Sequence, residues 1–186
     1  MKLLSTVGAI VGIVAGIVTV WGYLNDPLAP NPVDNRLVGT WSSKYSYPTS
    51  MGRNEVDSIS TLFRNGKYNV TGEQTFVIGN DGTDLKATYE LSGAGTWSSE
   101  SDNLYMTLGS LKTSLTSVTT DRETIPAQKI PRRIRGNFTK PENYLADGTT
   151  QQYRIMSVNG DEVLLRTANS AGKAFEISMH RQGMNP

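Results

Sequence analysis

Residues 57–78 read Asp-Ser-Ile-Ser-Thr-Leu-Phe-Arg-Asn-Gly-Lys-Tyr-Asn-Val-Thr-Gly-Glu-Gln-Thr-Phe-Val-Ile, two strand-like runs around Asn65-Gly66. Asn-Gly between such runs is the strongest short-range hairpin signal, because the central positions of a tight turn must tolerate positive φ. The stretch predicts strands over Asp57–Arg64 and Lys67–Ile78. Working outward, alternation and turn residues recur and a helical period is almost absent. Leu37–Tyr47 alternates, with Trp41, Ser43, Tyr45 and Tyr47 on one face. Asp81-Gly82 turns the chain into Leu85–Ser99, where Tyr89, Leu91 and Trp97 share a face and Gly93 and Gly95 mark a bulge or a barrel corner. Ser101-Asp102 leads to Leu104–Leu108, which Leu111–Thr119 either continues or follows as a separate strand.

Residues 120–148 break this rhythm with Pro126, Pro131 and Pro141, and read as a long loop with one short strand near Ile134–Thr139. Strands resume at Thr150–Val158 and Glu162–Thr167, joined through Asn159-Gly160. Ala174–Arg181 ends the pattern with Phe175, Ile177 and Met179 on one face, and residues 182–186 read as a loose tail. Eight to ten antiparallel strands with short turns predict a mainly β fold, an up-and-down barrel over residues 37–181. Closure hides the edges that an open meander would expose; a two-sheet sandwich is the competing arrangement.

The N-terminal segment differs in kind. Leu3–Leu24 carries no charged residue. As a helix it would extend roughly 33 Å, matching a hydrocarbon core of about 30 Å. Trp21 and Tyr23 stand at its end, where amphipathic rings favour the headgroup layer. Residues 1–24 are therefore expected to form one transmembrane helix, and residues 25–36, with Pro27, Pro30 and Pro32, a short extended linker. A cleaved signal peptide and a buried core helix are the alternatives. The run is longer than an ordinary signal core, and no small-x-small cleavage site follows it. Gly8, Gly12 and Gly16 recur every four residues, a stripe that lets a second helix approach closely. The expectation is a homo-oligomer formed through the helix. Lys2 precedes the span and Asp26 and Asp34 follow it, so the positive-inside rule favours an exported barrel over a cytosolic one.

Several short motifs carry a family likeness. Leu37-Val38-Gly39-Thr40-Trp41 resembles the Gly-x-Trp motif that opens lipocalins and bacterial lipocalin-like domains. Leu62-Phe63-Arg64-Asn65-Gly66-Lys67-Tyr68 is similar to a hairpin of that group, and Gly95-Thr96-Trp97-Ser98 with Asn103-Leu104 to its central segment. The final strand, ending in His180-Arg181, fits as well. The resemblance implies a lipocalin-like barrel over Leu37–Arg181, closed by Arg181 lying over Trp41. The 120–148 loop departs from the pattern. Gly-Thr-Trp-Ser-Ser occurs at 39–43 and again at 95–99. Because the flanks differ, the repeat reads as two barrel corners reusing one local solution rather than as a duplication.

The chemistry of the sequence points to binding rather than catalysis. There is no cysteine, so disulfides, thiolate metal sites and cysteine nucleophiles are excluded. His180 is the single histidine, and no metal-ligand spacing, nucleophile elbow, P-loop or dinucleotide fingerprint is present. No enzyme activity, cofactor or metal is expected. Setting aside Lys2, Asp26, Asp34 and Arg36 leaves 16 cations against 15 anions, a balance that steers no domain to a nucleic-acid duplex.

Two groups remain as binding candidates. Ser43, Tyr45, Thr61, Tyr89 and Trp97 could line an amphipathic interior, since barrels of this size can hold one small ligand. Lys129, Arg132, Arg133 and Arg135 could contact an anion, anionic lipid headgroups or an acidic partner. Together these features predict a single-pass, membrane-anchored barrel that self-associates through its helix and recognises a small ligand or protein partner. The layout is also similar to membrane-anchored β-barrel effectors of cyclic-oligonucleotide (CBASS) antiphage systems, although those usually carry two spans and need a cytosolic barrel. A structural subunit of an envelope complex is the third reading.

Overall fold

Strand pairing in the computed structural model runs in a closed circuit. The described residues are 33–50, 52–80, 83–135, 138, 141 and 148–183. The expected membrane helix with its Gly8, Gly12 and Gly16 stripe, and linker residues 25–32, lie outside them. No helix among the described residues is long and apolar enough to cross a membrane.

The strands are β1 (Gly39–Thr49), β2 (Gly52–Leu62), β3 (Lys67–Asn80), β4 (Thr83–Glu100), β5 (Asn103–Thr119), β6 (Thr124–Pro126), β7 (Thr150–Asn159), β8 (Glu162–Ala168) and β9 (Ala174–Arg181). They pair in the order β4-β3-β2-β1-β9-β8-β7-β5, and β5 pairs back onto β4. The result is an antiparallel up-and-down barrel of eight strands, with β6 laid on the far end of β5 outside the circuit.

The Asn65-Gly66 hairpin forms with a different turn from the one expected. Phe63 N donates to Lys67 O at 2.8 Å and Gly66 N to Phe63 O at 3.1 Å. Of the two central residues only Gly66 takes positive φ, at 73°, and Asn65 instead accepts from Lys67 N through Oδ1 at 3.2 Å. The loop is thus a turn followed by one left-handed glycine. β2 also starts at Gly52 rather than Asp57. Gly52, Asn54 and Glu55 are poor strand formers, but the ladders to β1 and β3 on either side impose the conformation.

Leu104–Leu108 and Leu111–Thr119 belong to one strand. β5 pairs with β4 along its length, with register shifts at Thr88/Tyr89 and Ala94/Gly95. The second shift falls at Gly95, as its sequence suggests, but the extra residue is Gly109 on β5. Thr116 is the extra residue of the first and fixes it by donating from Oγ1 to Thr88 O at 3.0 Å. Each extra residue flips the alternation, so Leu104, Met106, Leu108, Leu111, Thr113, Leu115 and Val118 all face the side of β4 that carries Trp97, Leu91 and Tyr89.

One end of the barrel is filled. Leu37, Trp41, Leu62, Tyr68, Trp97, Leu104, Val163, Leu165, Ile177 and Met179 form a contiguous buried core, which we call the floor. The two Gly-Thr-Trp-Ser-Ser copies meet here and use the same device. A Cβ on Gly39 would stand 2.3 Å from Arg181 Nη1, and one on Gly95 would stand 2.0 Å from Thr107 O. Two residues on, each tryptophan is buried and donates its Nε1–H to a carbonyl, Trp41 to Leu37 O at 2.8 Å and Trp97 to Phe63 O at 2.9 Å. The incoming chain crosses this same end. Asp34 N donates to Ser99 Oγ at 2.6 Å, and Leu37 is fully buried.

Closure is made by Arg181. Its guanidinium carbon lies 4.2 Å from the Trp41 ring centroid, while Nη1 and Nη2 donate to Val38 O and Arg36 O, each at 2.9 Å. One planar fork therefore stacks on the first strand and holds the lead-in to it.

Two stability outcomes follow. Gly95→Ala forces the β4–β5 backbones apart and is expected to cost about 2 kcal/mol or more. Arg181→Lys keeps the charge but loses the fork, with an expected cost of about 1–2 kcal/mol. Denaturant titration of the full chain reads both. Wild-type midpoints would remove the close-approach and closure roles respectively.

Candidate functional site

Above the floor the interior changes character. Ser43, Tyr45, Tyr89 and Trp97 are on the inward parity of β1 and β4. Trp97 belongs to the floor, and Ser43 is tied to Ser58 through their hydroxyls at 3.1 Å. Thr61 faces outward: it pairs with Thr40, and their hydroxyls meet at 3.1 Å on the outer face. Trp41 and Ser43 pair with Ser60 and Ser58, so a residue at odd spacing from these on β2 cannot share the interior.

The β1–β9 ladder stops after Ser43↔Met179, and aromatic side chains occupy the seam beyond it. Tyr47 stacks on Phe175 with centroids 4.7 Å apart, and Tyr45 lies 5.9 Å from Phe175. Across the interior, Phe76 meets Tyr89 edge-on at 5.8 Å. Asn54, only 1% exposed, donates from Nδ2 to Tyr47 Oη at 2.5 Å, while its Oδ1 has no hydrogen-bond partner. Tyr153 donates its hydroxyl to Gln151 Oε1.

Burial pushes the Tyr45 hydroxyl well above the ordinary tyrosine range, with the charge of Tyr47 adding to it. Burial does the same to Tyr153, reinforced by Tyr45, Tyr68 and Tyr47, so four phenols sit close enough to feel one another. Tyr47 and Tyr68 are raised by burial too, the former partly offset by the Asn54 hydrogen bond. The phenols of Tyr45, Tyr47 and Tyr153 and the Asn54 amide thus lie next to the floor, to which Tyr68 itself belongs. Asn54 was missed from sequence because the expected β2 began three residues after it; its position opposite Tyr47 in the hairpin was the available signal.

The basic residues stand at the other end of the molecule from the floor. β6 pairs with Ser117–Thr119 of β5, followed by a 3-10 turn at Ala127–Lys129 and a helical turn, α1, at Arg132–Arg135. From Leu104 in the floor to Val118 is roughly 40 Å of strand at about 3.3 Å per residue. The strand expected near Ile134–Thr139 is not formed at its start: Ile134 N and Arg135 N both donate to Pro131 O, at 2.9 and 3.0 Å, in a turn that Pro131 leads into.

Lys129, Arg132 and Arg133 are exposed. Arg135 is half-buried, donating from Nη2 to Ile130 O at 3.0 Å, and its buried Nε has no hydrogen-bond partner. Val118, Ile125, Ile130, Pro131, Ile134 and Phe138, with Lys129, line an almost wholly apolar groove of about 200 Å³. A second concavity, about 470 Å³, is lined chiefly by outward residues of β1–β3: Lys44, Ser46, Glu55, Asp57, Glu73 and Thr75. Lys44 and Asp57 pair across it at 3.1 Å. Among the described residues no group of three or more His, Asp or Glu could hold a metal ion, and His180 is exposed on β9.

No protein-family model and no curated protein matches the chain.

The phenols set an alkaline limit on stability. A raised native pKa means that the unfolded chain releases protons first as pH rises. The stabilisation is therefore complete below about pH 10, the ordinary tyrosine value, and is lost as pH rises through the native values. Phenolate absorbance should show Tyr45 and Tyr153 ionising only together with loss of near-ultraviolet circular dichroism. Full phenolate formation in a still-folded protein would contradict this burial.

Proposed function

We propose that the protein is a membrane-tethered binding module: a lipocalin-like barrel held by a helix over residues 1–24, with its recognition surface at the end remote from the tether. The supporting observation is the polarity of the barrel. Val33–Leu37 arrive at the filled floor, tied there by Asp34 to Ser99 and by Arg181 to Arg36 and Val38. The four cations and the apolar groove lie at the opposite end of the β4–β5 ribbon. A tether at the floor leaves that far end facing away from the bilayer. The likeness of the Gly-x-Trp opening and the Arg181–Trp41 stack to lipocalins supports a binding role, and the Gly8, Gly12 and Gly16 stripe supports clustering of several copies.

Because the chain has no cysteine, single cysteines report its orientation cleanly. Bimane on Glu100→Cys, at the floor, should be quenched by nitroxide-headgroup lipids more strongly than bimane on Lys129→Cys in the same proteoliposomes. Equal quenching, or the reverse order, sinks the polarity. In a membrane two-hybrid assay, Gly12→Ile should abolish self-association, and an unchanged signal would show that the stripe does not drive it.

A further inference from the structure

We infer that the groove on the 120–148 segment between β5 and β7, the insertion, is a docking site for an acidic protein segment that carries a bulky apolar side chain. This rests on the proposed reading in placing the groove away from the membrane. The floor of the groove is apolar, with Val118 4% and Ile130 7% exposed, yet Ile134 on its rim is 42% exposed. Slot and rim form one contiguous apolar surface rather than a lone exposed residue, and such a surface marks an interaction site.

The size of the slot selects what covers it. At about 200 Å³ it is smaller than the roughly 300–1,000 Å³ of pockets that enclose a small-molecule ligand. It suits one inserted side chain, the anchor of a longer contact. The charge around the slot selects the rest. Lys129 lines it, Arg132 and Arg133 stand exposed on the helical turn that carries Ile134, and Arg135 is held against the Ile130 carbonyl. Exposed cations beside an apolar slot favour a partner that brings carboxylates to its edge. A segment with Asp or Glu flanking an aromatic or leucine side chain satisfies slot and rim together. A bilayer would use the same cations, but the distance from the chain's entry point to the groove argues for a protein occupant.

The test is selection of a random twelve-residue peptide display library on the full chain in zwitterionic nanodiscs. Enrichment of peptides with acidic residues around a bulky apolar one is expected. Binding of the enriched peptides should fall at least tenfold in Arg132→Glu/Arg133→Glu and in Ile134→Asp. These residues are exposed, so the variants are expected to keep the wild-type circular dichroism. No enrichment, a non-acidic motif, or binding indifferent to both variants overturns the proposal. So does co-flotation of the nanodisc-held chain with separate phosphatidylglycerol vesicles, dependent on these residues, without peptide enrichment. The bimane measurement reads the tether independently, so loss of this site and loss of the tethered reading are separable.

Discussion

Closing β9 onto β1 is the constraint on which the other strands depend, because the two pair only over Trp41–Ser43 and Met179–Arg181. β1 through β5 are joined by short turns and gain their ladders locally, as do β7 through β9. The β1–β9 seam joins the two ends of the barrel and offers few backbone hydrogen bonds in return for ordering them. Side chains supply what the ladder does not. Arg181 adds a stacked cation and two charge-assisted hydrogen bonds, and the Tyr47–Phe175 stack covers the seam where pairing ends. The requirement reaches back into the sequence: Gly39 takes a φ of 146°, and a Cβ there would stand 2.3 Å from Arg181 Nη1.

The second constraint is parity. β4 and β5 are much the longest strands, and over such a length a simple alternation has to stay in phase with a curved, closing sheet. The two extra residues on β5 let the ribbon bend while keeping Leu104, Leu111 and Val118 all inward. Because β7 meets β5 only at Asn103–Thr107, the far half of β5 rises beyond the short strands. The insertion starts from that raised end, where β6 and α1 bring Ile125, Ile130 and Ile134 against Val118. A single unusual ribbon thus separates the floor from the cationic groove.

Much of this was legible in the sequence. Turn residues gave the hairpins, and the paired Trp motifs with Arg181 marked the closed end. What remained hidden has a common cause: period-two reasoning sees alternation but not slips in it. The change of phase at Gly109 left open whether Leu104–Thr119 is one strand or two, and the missing upstream half of β2 concealed the inward Asn54. Thr61 looked like a plausible lining residue by composition, and only its register with Thr40 puts it outside. The insertion resisted for another reason. Ile134-Arg135 reads as a strand by β-branching, but Pro131 and its doubly used carbonyl start a helical turn there.

On the proposed reading, the two ends of the chain solve one problem. A slot of about 200 Å³ with an exposed cationic rim is a weak site: exposed charges are screened by salt, and one anchored side chain contributes only a few kcal/mol. Weak sites become effective when several are presented together, since the second contact is made at an effective concentration set by the linkage. A helix with a glycine face would hold copies side by side in the bilayer, and a tether at the floor would keep their grooves facing the same way. Orientation then matters more than single-site affinity. A partner displaying several acidic segments would engage the cluster, while an isolated segment would be released.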